Sequence, residues 1–200
     1  MANPVKHNRE IAIDKATQLF WSKGFHGTSM RNLQDAIDMR PGSIYASFGS
    51  KEGLFQESLN HYAQSSMTRL DNCLQETGSP IEAIKEFITE TILNKQKPSP
   101  SSMCMLVKTI AELTEDQAEL LTQAKTLLNK IETAIADLLE QAQQQGELSA
   151  SKNPSRLARL LQMQLVGMGV YLRSNSINNV NVNVNANAME LINDAFSCLE

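Results

Sequence analysis

Aromatic side chains are scarce in this chain: one tryptophan, three tyrosines and six phenylalanines among 200 residues. Strand signals are few as well, and nine methionines stand beside the sparse rings, which fits an all-α protein with an adaptable interior. The three cysteines, Cys73, Cys104 and Cys198, have neither pairing nor metal spacing. His7, His26 and His61 are scattered, so no metal or other cofactor is expected. No Gly-rich phosphate loop, no His/Cys/carboxylate cluster and no nucleophile motif appears, which weighs against an enzyme or a small-molecule carrier. No apolar run reaches transmembrane length, and the opening MANPVKHNRE lacks the apolar core of a signal peptide. A reducing bacterial cytoplasm is the expected compartment, with no membrane partner. A large basic excess is missing too. The net charge is −4, but residues 1–60 hold seven Lys/Arg against six Asp/Glu, while residues 61–200 hold eleven against sixteen. Any nucleic-acid binding must rest on a few placed cations.

What the chain does have is a succession of helix signals. Ala12, Ala16, Leu19 and Phe20 mark a first helix from about Arg9 to Lys23, ended by Gly24. A helix opening after Ser50 carries Leu54, Phe55, Ser58, Leu59 and Tyr62 on its inner face and is expected to reach Glu76. Ser79-Pro80-Ile81-Glu82 is a capping box leading a helix to about Lys95, and 97–102 reads as a loop. A short helix from Met103 to Leu113 follows. Thr114-Glu115-Asp116-Gln117, a second capping box, opens a long helix ended by Gly146. Asn153-Pro154 starts a helix to about Arg173, and a last one is expected over Ala188–Leu199. Between them, Asn175 to Asn187 is low in complexity and reads as a loop, since asparagine favours turns over strands.

The most informative stretch is Thr28 to Phe55. Met30, Leu33 and Ile37 recur at helical spacing, and Ile44 and Phe48 resume it after Asp38-Met39-Arg40. That is the spacing of a helix-turn-helix, whose second helix can lie in a DNA major groove. Pro41 suits a first helical position. Ser50 can cap the third helix, placing Lys51 at a helix N-terminus that favours phosphate. Arg31 can bond guanine in bidentate fashion, and Ser43 can meet either kind of base edge.

Gly24-Phe25, Thr28-Ser29, Leu33, Gly42-Ser43-Ile44-Tyr45, Phe48 and Lys51-Glu52 together resemble the DNA-binding domain of the TetR family of bacterial regulators. The resemblance is specific over about Ile11 to Leu59. The family's usual glycine is Asp38 here, at a position whose backbone tends to be left-handed. The resemblance implies an all-α fold of about nine helices, with a three-helix DNA-binding domain at 1–50 and an effector-binding and dimerisation domain at 51–200. It implies that Pro41, Gly42 and Ser43 start the recognition helix, that Arg31 reaches a base edge, and that Tyr45 and Lys51 hold phosphates. Ser29 and Ser47 are secondary candidates, and Arg40 adds a cation beside the turn.

The expected partners are a palindromic double-stranded operator, a second copy of the chain and a small-molecule effector. The helix from Asn153 is apolar on two sides, as a helix buried against its own core and a twin subunit would be. Leu157, Met163, Val166 and Val170, with Met189, Ile192 and Phe196 of the last helix, are the expected dimer interface. Met103, Cys104 and Met163 are candidates to meet the effector. Cys104 opens the short helix with Lys108 one turn on, an arrangement that activates a thiol; a small buried hydrophobe is the plainer reading. The implied function is a ligand-responsive repressor, not an enzyme. Activation instead of repression stays open, because operator position decides it.

Overall fold

The computed structural model describes residues 4–93, 100–101, 103–176 and 184–199, and among these there are nine α-helices, two 3₁₀ turns and no strand. In chain order the helices are α1 (Pro4–Lys23), α2 (Met30–Ile37), α3 (Pro41–Phe48), α4 (Lys51–Thr77), α5 (Pro80–Leu93), α6 (Met105–Glu112), α7 (Ala118–Gln144), α8 (Pro154–Ser176) and α9 (Val184–Phe196). Gly24, Gly78 and Gly146 each follow a helix with positive φ. The chain packs as two compact units, residues 1–65 with 104–128, and residues 66–103 with 129–200.

The first unit is built on α1, α2, α3, the start of α4, α6 and the start of α7. Its core contains Ala12, Ala16, Phe20, Leu33, Ile37, Ile44, Phe48, Leu54, Phe55, Met105 and Leu106, all buried. Rings lock it edge to face: Phe20 lies 4.7 Å from Phe55, and Trp21 lies 5.0 Å from Tyr62. Each buried Leu, Ile or Phe contributes about 1.5–3 kcal/mol, so this core can hold three short helices that would not persist alone.

In the second unit α5, α8 and α9 pack on one another around Ile84, Phe87, Ile88, Leu161, Ile192 and Phe196, and α7 adds Ile135 and Leu139. Ser79 caps α5 by accepting the Glu82 N–H at 3.2 Å. Glu147 also accepts the Ser79 hydroxyl at 2.9 Å and the Ile81 N–H at 3.2 Å.

The segment expected as a loop over 175–187 is shorter. α8 runs to Ser176 and α9 already begins at Val184, because the Ala/Met/Glu/Leu content around Ala186 favours a helix. Residues 177–183, and most of the expected 97–102 loop, lie outside the described residues. Thr114 starts a 3₁₀ turn, Glu115–Gln117, and α7 follows it.

Candidate nucleic-acid interface

Local capping sets the first helix of the motif. Ser29 Oγ accepts the Asn32 N–H at 3.1 Å, and Asn32 Oδ1 accepts the Ser29 N–H at 3.1 Å. Leu33 and Ile37 then face the core, and Arg31 is exposed on the first turn. The helix stops at Asp38, whose φ of 54° and ψ of 46° are left-handed, as expected at this turn. Arg40 is exposed in extended geometry ahead of α3, and its carbonyl accepts the Ser43 and Ile44 N–H groups at 3.0 and 3.1 Å. Pro41 takes the first helical position.

α3 is pinned from beneath by Ile44 and Phe48, one turn apart and both buried. Everything else on it faces outward: Pro41, Gly42, Ser43, Tyr45, Ala46 and Ser47 are exposed. A Cβ on Gly42 would meet nothing within 4 Å, so this face is open. Tyr45 is 49% exposed and is therefore not a core ring between Ile44 and Phe48. Arg9 supports the helix from behind. Its guanidinium lies 5.0 Å from the Phe48 ring centroid and pairs with Glu57 of α4.

Lys51 is the first residue of α4 and is half-buried. Ser50 Oγ accepts the Gly53 N–H at 3.1 Å and so caps α4. The Lys51 ammonium sits 4.2 Å from the Phe25 ring centroid. Desolvation holds its pKa below the usual lysine value, while Glu52 and Glu112 act in the opposite sense. Arg40, Ser43, Tyr45, Ser47 and Lys51 thus lie on or next to one exposed helix over two buried anchors, and Arg31 is exposed at the start of α2.

Sequence reasoning missed the support that α6 gives this module. Lys108 Nζ donates to the carbonyls of Trp21 at 3.1 Å and Ser22 at 2.6 Å, at the end of α1. Glu112, one turn on, accepts the N–H groups of Phe25 at 3.0 Å and His26 at 2.7 Å. The Lys108 ammonium, one turn on from Cys104, is engaged at the end of α1, where helix-end carbonyls attract a cation. No local pattern signals these pairings, which join residues 86 or 87 positions apart.

The remaining candidates divide by exposure. Met163 is 60% exposed on α8. Val170 and Met189 are exposed as well, and Val166 is half-buried. Leu157, Ile192 and Phe196 are buried within their own unit. Met103 and Cys104 are half-buried ahead of α6, with Cys104 at its N-cap position and making no side-chain cap bond. Cys73 is buried, and burial first, then Glu90, Glu86 and Glu76, pushes its thiol up to about 11.

Residues 12–58 match the model of "Bacterial regulatory proteins, tetR family", and residues 80–175 match that of the "Tetracyclin repressor-like, C-terminal domain". The chain is 26% identical over 175 residues to the transcriptional repressor ComR of Escherichia coli K12, covering 86% of this chain and 83% of ComR. It is 32% identical over 107 residues to the transcriptional repressor BdcR of the same strain, covering 54% of each. In fold it is similar to a cysteine mutant of the TetR family regulator CifR, solved with double-strand operator DNA, with a TM-score of 0.78, 24% identity and 96% of each chain covered. Among the described residues no helix is long and apolar enough to cross a membrane, and no group of three His, Cys, Asp or Glu side chains could hold a metal.

Proposed function

The chain belongs to the TetR family of bacterial regulatory proteins, a family of regulators rather than enzymes, and from that premise we propose that it is a repressor binding a palindromic operator as a homodimer. The observation that carries this reading is the outward face of α3, anchored by Ile44 and Phe48 with Arg31, Arg40 and Lys51 around it. A helix so exposed and so firmly based fits a major groove. Ser43 and Arg31 read base edges; Tyr45, Lys51 and the exposed Ser29 and Ser47 hold phosphates. Residues 1–50 serve as the DNA-binding domain and 51–200 as the effector and dimerisation domain. Repression is favoured because ComR and BdcR are repressors and CifR is held on operator DNA.

A single half-site binds DNA weakly, so the reading requires a dimer. Met163, Val166, Val170 and Met189 give α8 and α9 an outward apolar strip on which a second copy fits. A Cβ on Gly167, beside them, would meet nothing within 4 Å, which leaves room for a facing helix.

Release follows when an effector favours a dimer geometry with its recognition helices out of register. Either a reversible small molecule or an electrophile at Cys104 can act, since Cys104 precedes the helix whose Lys108 and Glu112 hold the α1–α2 turn.

The test is a gel-shift titration over several salt concentrations. Lys51→Ala should weaken binding to every sequence and reduce the salt slope by about one unit. Ser43→Ala should cost about 1–3 kcal/mol on the preferred site and relax preference at one base pair. An unchanged slope for Lys51→Ala removes the phosphate assignment.

A further inference from the structure

We infer that Lys108 and Glu112 of α6 are positioning residues for DNA binding: they fix the α1–α2 turn and, through Phe25, the Lys51 cation beside α3. The inference rests on the operator-binding reading above.

The two side chains stand four residues apart on one face of α6, and such a pair commonly bonds to itself. Here they diverge onto one backbone joint, each matched to its polarity. Lys108 donates at 3.1 and 2.6 Å to the Trp21 and Ser22 carbonyls at the end of α1. Glu112 accepts two consecutive N–H groups, from Phe25 at 3.0 Å and His26 at 2.7 Å. Bonds to charged groups are stronger than neutral ones, so four of them hold this turn firmly.

Gly24 is cut to fit the carboxylate. Its φ of +80° is left-handed, and a Cβ there would stand 2.4 Å from Glu112 Oε2. Thr28 Oγ1 closes the turn by donating to the Gly24 carbonyl at 2.6 Å. The residue held by Glu112 then does two things. The Phe25 ring packs 5.0 Å from Phe55, in the core, and lies 4.2 Å from the Lys51 ammonium. The Glu112 carboxylate also favours the charged form of Lys51. A shift of α6 therefore moves the bed on which that cation rests, with no contact of its own to DNA.

The experiment uses the full-length protein carrying Glu112→Gln, which keeps shape and removes charge. Hydrogen–deuterium exchange of the peptide covering residues 20–28 should quicken, and operator affinity should fall about tenfold while helical content stays unchanged. Adding Lys51→Ala should then cost less than about twofold more, because both changes disable one cation. An effect on binding that is independent of Lys51 predicts multiplicative losses, and that result overturns the inference. Unchanged exchange or unchanged affinity overturns it too. If Glu112→Gln does not fold, Lys108→Met takes the same measurements. Quickened exchange in a protein whose unmutated form has no sequence-specific binding defeats the operator reading and the positioning role together.

Discussion

Asp38 occupies left-handed backbone, a region that glycine adopts freely, and its short polar side chain tolerates that region better than most. Asp38→Gly should hold or raise stability, and Asp38→Val should lower it by about 1–3 kcal/mol. Urea unfolding of both variants decides; a harmless valine contradicts the strain. At Cys73 the direction of titration gives a second prediction. Its folded pKa is raised from 9.0 to about 11, so the stability due to the protonated thiol is complete below 9.0 and lost as pH rises through about 11. Cys73→Ala should flatten the fall in stability over that window. Alkylation near pH 8 should reach the half-buried Cys104 before the buried Cys73. Mass spectrometry ranking Cys73 first would remove Cys104 from the electrophile route.

At the scale of elements, α3 and α4 are joined by a very close approach at Gly53, where a Cβ would stand 2.1 Å from the Phe48 carbonyl oxygen. Gly53→Ala should cost about 1–3 kcal/mol and weaken DNA binding by tilting α3. Normal melting and normal affinity would show that the joint yields freely. The helices of this module were legible because their signals are local: Met30, Leu33 and Ile37 at helical spacing, Pro41 after Arg40, Ile44 with Phe48. The outward residues of α3 were legible through the family resemblance, not through a local signal. The part played by α6 was not, since Lys108 and Glu112 take their partners from the far end of α1 and the turn beyond it. Helical periodicity also failed to separate Met163, which is exposed, from Ile192 and Phe196, which are buried, because each lies on an apolar stripe. Neighbouring helices decide which stripe is covered. The Val/Asn repeat misled in another way: asparagine is common at turns and also at helix starts, and α9 begins within it.

For the whole molecule, the proposal requires two copies acting on two half-sites. Val170→Glu, placed on the exposed strip of α8, should give soluble, folded monomers that bind DNA weakly. Phe196→Glu should instead unfold the chain, since it sets an unpaired charge in a unit's own core. The most direct test of the account selects double-stranded DNA from a random pool with the full-length protein. The binding stoichiometry and salt dependence are then measured on the winner. The account predicts a near-palindromic site, occupied by two chains with half-sites about one helical turn apart, and a steep loss of affinity with salt. Enrichment of no sequence, or saturation by one chain on an asymmetric site, would contradict it.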